Sequence, residues 1–331
     1  MRALVEIEDL SVEILRGRGK NGQVLPILRH IDLSVEKGEV LGLVGESGCG
    51  KTMTILALMG LLPEGGRIST GKIWFQDREL TALSRREIEA LRGKRITTIF
   101  QEPMTSLNPL LSIGEQMKEI LYRHEGLKGK ANRDKCVSLL QAVKIPEAEK
   151  IYDYYPFKLS GGMRQRVMIA MALSCEPELI IADEPTTALD VTTQAQILDL
   201  FNELRGRTRS SFIFVTHDLG IIAEIADRTA VIYAGYVVEE CSVAALFERP
   251  LHPYTDGLMR SRMGRRNSNR ANLYSIPGVV PVPGNMPPGC PFAPRCTYTT
   301  EQCRAELPPL AIPSLPEIEG GHKVRCWRQV S

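Results

Sequence analysis

An α/β fold built around a phosphate-binding loop is predicted by three stretches of this 331-residue chain. The glycine-rich loop Gly45-Glu46-Ser47-Gly48-Cys49-Gly50-Lys51-Thr52 directly follows the apolar run Val40-Leu41-Gly42-Leu43-Val44. A second apolar run, Leu179-Ile180-Ile181-Ala182, ends in the paired carboxylates Asp183 and Glu184. Strand-like runs with glycine turns fill residues 3 to 100, a mainly helical stretch occupies about 102–175, and strands and helices return over about 176–256.

Each element carries a physical reason. In the loop, glycines at both ends and in the middle let backbone N–H groups converge on phosphate oxygens. Lys51 reaches the β- and γ-phosphates, and the Thr52 hydroxyl ligates Mg²⁺. The run from Met53 to Leu62 supplies a helix whose positive N-terminal end faces the bound anion. Ile96-Thr97-Thr98-Ile99-Phe100 reads as a strand ahead of Gln101. Ser160 is a natural N-cap for the helical run ending at Leu173, and Gly161 and Gly162 leave helix-start N–H groups uncovered. Side chains alternate along a strand, so Asp183 and Glu184 at its mouth take different tasks: Asp183 supports the Mg²⁺ shell and Glu184 polarises the attacking water. Val191–Leu204 places Ile197, Leu198, Leu200, Phe201 and Leu204 on one broad helical face. Phe212-Ile213-Phe214-Val215-Thr216 is a strand preceding His217, and Ala230–Glu239 reads as a hairpin turning at Ala234-Gly235. These last helix and hairpin readings concern packing, with no chemistry attached.

Leu159-Ser160-Gly161-Gly162-Met163-Arg164-Gln165-Arg166 resembles the signature of the ATP-binding cassette (ABC) ATPases. Gln101 resembles their Q-loop, Ala188-Leu189-Asp190 their D-loop and His217 their H-switch, all in the family's order over roughly residues 3 to 256. The resemblance implies an ABC cassette: a RecA-like core with an antiparallel β subdomain and a helical subdomain. It also implies a mechanism in which two cassettes sandwich two ATP molecules, each between one P-loop and the partner's signature helix. Ser160, Gly161, Gly162, Gln165 and Asp190 then belong to the nucleotide site together with Gly45 to Thr52. Thr52, Gln101 and Asp183 serve Mg²⁺, and Glu184, His217 and Gln101 serve hydrolysis. Both halves of a site are present, so no degeneracy is expected.

Gln101-Glu102-Pro103-Met104-Thr105-Ser106-Leu107-Asn108-Pro109, His252-Pro253-Tyr254-Thr255 and the proline-rich Ile276–Pro281 resemble segments of the ATPases driving oligopeptide, dipeptide and nickel importers. Within that group the chain is most similar to the D-type ATPase of dipeptide and oligopeptide permeases. The resemblance implies a second, F-type ATPase partner, two transmembrane permease subunits and an extracytoplasmic solute-binding protein. One departure is the adenine contact: the family places an aromatic residue near the first strand, whereas no Phe, Trp or Tyr precedes Trp74. Ile14 or Leu15 occupies that region, which removes an offset-stacking contribution of about 0.5–1.5 kcal/mol.

Composition agrees with a cytosolic ATPase. Hydrophobic residues make up 43%, enough for a sizeable core, and the net charge of +2 argues against nucleic-acid partners. The first nine residues acquire acids before a signal-peptide core forms, and no apolar run approaches the roughly 20 residues that cross a bilayer. The chain is therefore expected at the cytoplasmic face of the plasma membrane, bound peripherally. Composition shifts after Met259, and the expected organisation is a cassette over 1–256 and a small Pro/Cys-rich extension over 257–331.

Of eight cysteines, Cys49, Cys136, Cys175 and Cys241 are scattered and read as small core residues. Cys290, Cys296, Cys303 and Cys326 concentrate in the extension. In a reducing compartment such a group reads as a metal centre before it reads as disulfides. Close C-x2–4-C pairs typical of structural zinc are missing, so a [4Fe–4S] cluster ranks first, with Zn²⁺ and no metal as alternatives. Arg260, Arg262, Arg265, Arg266 and Arg270 read as a solvated linker, with anionic lipid head groups as the sharper alternative. A soluble ABC ATPase of translation or DNA repair is the competing function class. Such proteins commonly carry two cassettes or long coiled coils, and neither is evident in this sequence. An electron carrier does not account for a complete ATPase site.

Overall fold

The computed structural model describes residues 2–17, 22–101, 103–187, 189–266, 274–313 and 321–330. They form two compact units, one of residues 1–82 with 215–331 and the other of residues 83–214.

In the first unit, β1 (Val5–Arg16) pairs antiparallel with β2 (Gln23–Val35). The buried face of β1 switches from Val5 and Ile7 to Leu10 and Val12. A bulge with Asp9 at φ 49 inserts the residue that shifts the alternation. All five residues of β3 (Val40–Val44) are buried, as expected for a parallel strand covered on both faces. The phosphate loop leads into α1 (Lys51–Leu58). This helix is shorter than the expected run to Leu62, because Gly60 takes φ 60 and Leu61 N–H closes onto Leu56 C=O at 2.8 Å. β4 (Gly66–Phe75) and β5 (Arg78–Glu79) complete an antiparallel sheet of order β2-β1-β4-β5.

The second unit opens with α2 (Arg85–Leu91), whose start is a capping box between Ser84 and Glu87. β6 (Ile96–Ile99) follows, then the helical stretch α3 (Pro103–Ser106), α4 (Ile113–Glu125), α5 (Gly129–Ala142), α6 (Ala148–Tyr152) and α7 (Gly161–Leu173). β7 (Leu179–Asp183) runs parallel to β6. After α8 (Val191–Arg207), β8 (Ser211–Thr216) lies beside β7 and carries the chain out of the unit. The expected apolar face of α8 is buried at all five named positions, and Phe201 meets the ring edges of Phe212 and Phe214 at 6.2 and 5.3 Å.

Back in the first unit, α9 (Leu219–Ile225) packs on β3 where Gly42 leaves room; a Cβ there would lie 2.7 Å from Ile222 Cδ1. β9 (Arg228–Tyr233) runs parallel to β3 and forms the expected hairpin with β10 (Tyr236–Ser242). Ala234 and Gly235 turn it with φ 48 and 83, both left-handed, as a tight two-residue hairpin turn requires. α10 (Val243–Glu248) and α11 (Pro253–Arg266) follow, then α12 (Glu301–Ala305), β11 (Lys323–Val324) and α13 (Trp327–Val330). β11 adds antiparallel to the edge of β10, giving the order β11-β10-β9-β3.

The compact units divide the chain differently from a partition at 256/257. α11 runs through that position, and the tail shares a core with the strand feeding the phosphate loop. Tyr233, Tyr254 and Phe292 form one ring cluster, with centroids 4.6, 5.2 and 5.5 Å apart. The tail therefore has more core than its proline-rich composition suggests. Among the described residues, no helix is long and apolar enough to cross a membrane.

Candidate functional site

The phosphate loop in the first unit is shaped by contacts that exclude side chains. A Cβ on Gly45 would lie 2.2 Å from the Ile232 carbonyl oxygen, and Gly48 and Gly50 have φ 77 and 116. Lys51 is buried, and its Nζ donates to the carbonyls of Gly45 at 2.6 Å and Glu46 at 3.0 Å. Ser47, Gly48 and Thr52 are exposed at the same loop, where the helix N-terminus favours an anion. Cys49 is buried against Lys51, and its thiol is pushed above the usual range by burial. His217 follows β8, exposed, beside Asp218, which caps α9 by accepting from Gly220 N–H at 2.6 Å. Ile14 and Leu15 lie near the end of β1, with Leu15 50% exposed.

In the second unit, Gln101 and Glu184, 83 residues apart in sequence, meet directly. Gln101 Nε2 donates to Glu184 Oε2 at 3.0 Å, and Thr187 Oγ1 donates to the same oxygen at 2.8 Å. Two donors on one oxygen fix the carboxylate's rotation. Thr187 was not singled out by sequence reasoning; its position three residues after Glu184 in a turn was the available signal. One expectation needs correction here. β7 ends at the buried Asp183, and Glu184 takes φ 46 ahead of Pro185, so strand alternation does not separate the two carboxylates. The left-handed residue re-aims Glu184 instead.

Ser160 caps α7 as expected, accepting from Met163 N–H at 3.3 Å, and is exposed together with Gly161. Gly162 has a second reason to be glycine, since a Cβ there would lie 2.6 Å from Thr193 Cγ2. Gln165 is 1% exposed inside α7, so within this chain it is a packed residue rather than a surface contact. Asp190 caps α8, accepting from Thr193 N–H at 2.9 Å and Thr193 Oγ1–H at 2.7 Å. These bonds hold its carboxyl below the usual range. Glu102, Ala188 and Arg270 lie outside the described residues, as do the side chains of Pro103, Met104, Arg262, Arg265 and Arg266; Arg260 pairs with Asp256 on α11.

The four tail cysteines, spread over 290–326, line one pocket with His252, Tyr298, Trp327 and Arg328. Cys290 N–H donates to Cys303 C=O at 2.7 Å. Burial pushes the Cys290 thiol up to about 11 and raises Cys296 and Cys326. A cation is what would hold such thiols ionised. Among the described residues, the trio whose ligand atoms all lie within 4.8 Å is Glu239, Cys241 and His322; no three of the tail cysteines meet that spacing. The Glu239 trio is itself a structural knot. Its carboxylate accepts from the N–H groups of Leu251 at 2.7 Å and His252 at 2.9 Å and pairs with His322 Nε2 at 2.7 Å, while burial keeps Cys241 protonated.

A family profile for ABC transporters matches residues 28–187, and one described as the C-terminal region of oligopeptide/dipeptide transporters matches residues 238–303. The chain is 47% identical to an oligopeptide transport ATP-binding protein of Bacillus subtilis, covering 99% of this chain and 97% of that protein. It is 46% identical to a dipeptide transport ATP-binding protein of the same organism, covering 99% and 96%. An oligopeptide transport ATP-binding protein of Salmonella typhimurium is 47% identical, covering 93% and 90%. Among solved structures, a dimeric ATP-binding cassette in a post-hydrolysis state with ADP and Pi aligns with a TM-score of 0.63 at 26% identity, covering 72% of this chain and 98% of that one.

Proposed function

The chain belongs to the ATP-binding subunits of oligopeptide/dipeptide ABC transporters, and we propose that it hydrolyses ATP to drive uptake of dipeptides or oligopeptides in a bacterium. The carrying observation is the bonded pair Gln101 and Glu184, joined by Thr187. A general base must be held still relative to its water, and two donors on Glu184 Oε2 do this.

In this reading the N–H groups of Gly45 to Gly50 and the Lys51 ammonium bind the triphosphate. Thr52, Gln101 and Asp183 would hold Mg²⁺, which when bound would supply charge neutralisation on the phosphates. Glu184 takes the proton of the attacking water, and His217 steadies the γ-phosphate. Ser160, Gly161 and Gly162 present helix-start N–H groups to the nucleotide of a second, F-type ATPase, with Gln165 and Asp190 supporting α7 and α8 behind them. Two permease subunits and an extracytoplasmic solute-binding protein complete the importer, which places this chain at the cytoplasmic face of the plasma membrane. Nickel or another small solute is the alternative cargo, because selectivity in such an importer belongs to the solute-binding protein and the permease subunits.

Glu184→Gln is expected to nearly abolish hydrolysis in the assembled transporter while leaving ATP binding intact, and Lys51→Ala to weaken binding itself. Turnover near the wild-type rate in the Gln variant would remove Glu184 as the base.

The extension is proposed to hold a [4Fe–4S] cluster on Cys290, Cys296, Cys303 and Cys326, supported by the one pocket that all four line. When bound, such a cluster would cross-link the tail and carry no hydrolytic step. Anaerobically purified protein is expected to contain about four iron and four sulfide per chain. One zinc and no iron would establish the zinc alternative, and four freely alkylated thiols without metal would remove both.

A further inference from the structure

The tail reaches the phosphate loop through one side chain. Arg295, 4% exposed, donates through Nη1 to Glu46 Oε2 at 2.7 Å and through Nη2 to Glu46 Oε1 at 3.1 Å, across 249 residues of sequence. Its remaining donors reach Pro277 C=O at 2.9 Å, Ile276 C=O at 3.4 Å and Tyr233 Oη at 3.4 Å. Glu46 is also held through its backbone. Its N–H donates to Tyr254 Oη at 2.8 Å, and its C=O accepts from Lys51 Nζ at 3.0 Å. The conformation of Glu46 therefore sets one of the two carbonyls that place the Lys51 ammonium.

A carboxylate inside a loop that binds a polyanion is an electrostatic liability unless a cation is fixed on it. The planar guanidinium fork answers both needs, because it cancels the charge and fixes the carboxylate's orientation. Arg295 itself sits in the short 3₁₀ turn Ala293–Arg295 that joins the pocket cysteines Cys290 and Cys296, with its N–H donating to Phe292 C=O at 2.9 Å. The segment that shapes the cysteine pocket is thus the segment that holds the phosphate loop.

We propose that Arg295 is a positioning residue for ATP: it acts through Glu46 to keep the phosphate loop neutral and correctly shaped, and so couples the cysteine-bearing tail to nucleotide affinity. This rests on the reading of residues 45–52 as the phosphate site.

The test is nucleotide binding to the full-length chain, measured by competition against a fluorescent ATP analogue for ATP, ADP and AMP. Arg295→Met is expected to weaken ATP about tenfold, ADP less and AMP least, because an exposed Glu46 charge repels in proportion to phosphate charge. The double variant R295M/E46Q is expected to return ATP affinity to within about threefold of wild type. A merely structural role predicts neither the grading nor the rescue. If the methionine variant is insoluble, Arg295→Lys, which keeps the charge and loses the fork, is expected to cost ATP about threefold with a flatter grading across the three nucleotides, because Glu46 stays neutralised. Wild-type ATP affinity in R295M, or losses equal for all three nucleotides and unrelieved by E46Q, would overturn the proposal. Lys51→Ala separates the two levels: unchanged ATP binding in that variant would overturn the phosphate-loop reading itself, whereas a weakened Lys51→Ala beside an unaffected R295M overturns the Arg295 role alone.

Discussion

Glu184 Oε2 receives hydrogen bonds from Gln101 at 3.0 Å and from Thr187 at 2.8 Å, which makes the orientation of one carboxylate depend on two flanking side chains. If Thr187 steadies the base, Thr187→Ala should lower kcat about tenfold while leaving ATP affinity nearly unchanged, and Thr187→Ser, which restores the hydroxyl, should recover most of it. A fall in KM-independent binding with kcat intact would assign Thr187 to nucleotide binding instead. If the end of the first strand meets the base of the nucleotide, aliphatic Ile14 and the half-exposed Leu15 are the residues that contact it. An aliphatic surface contacts purines without the stacking geometry of an aromatic ring. GTP is therefore expected to compete with ATP more effectively than in relatives that stack adenine, and an ATP preference above about 10³-fold in competition assays would show that another group supplies the contact.

Most elements were legible because their signals are local. The buried strands β3 and β8 read as continuous apolar runs, the α8 face follows helical spacing, and Ser160 and the Ala234-Gly235 turn carry their usual chemistry. What was not legible depends on approach between distant segments. The sequence places Glu184 on a strand, yet a left-handed φ at that residue ends the strand one position earlier, and nothing in single-residue propensity announces it. Gly162 is another case. Sequence reasoning values it for uncovered N–H groups at a helix start, while the structure adds a contact with Thr193, where a Cβ would lie 2.6 Å away. Because Thr193 is also the donor to Asp190 at the cap of α8, a side chain at 162 should disturb both helix starts. Gly162→Val is accordingly expected to lower the stability of the isolated chain by about 1–3 kcal/mol in denaturant unfolding. The gentler Ser160→Ala should cost about 1 kcal/mol. An unchanged midpoint in the Val variant would leave partner contact as the sole reason for glycine there.

At the scale of the whole molecule, the shift to Arg, Asn, Gly and Pro after Met259 suggested a cassette followed by an extension with little core of its own. A segment need not supply a core of its own. Phe292, Ala293 and Cys290 instead complete a cluster begun by Val44, Tyr233 and Tyr254, and β11 hydrogen-bonds to the edge of β10. The buried Arg325 extends the same union, donating from Nε to Val237 C=O at 3.0 Å and from Nη1 to Pro308 C=O at 3.1 Å. Removing residues after 256 would strip ring contacts from Tyr233 and Tyr254, leave Glu46 without its guanidinium, and reopen a strand edge to pairing with other chains. A chain truncated after residue 256 is therefore expected to aggregate, or to unfold at markedly lower denaturant than the full chain. In the full chain, amide exchange at Cys290, Ala293 and Arg295, whose N–H groups are hydrogen-bonded within the tail, should be as slow as at β9. A truncated cassette as stable as the intact protein, together with fast exchange at those three amides, would show that the tail is an independent appendage.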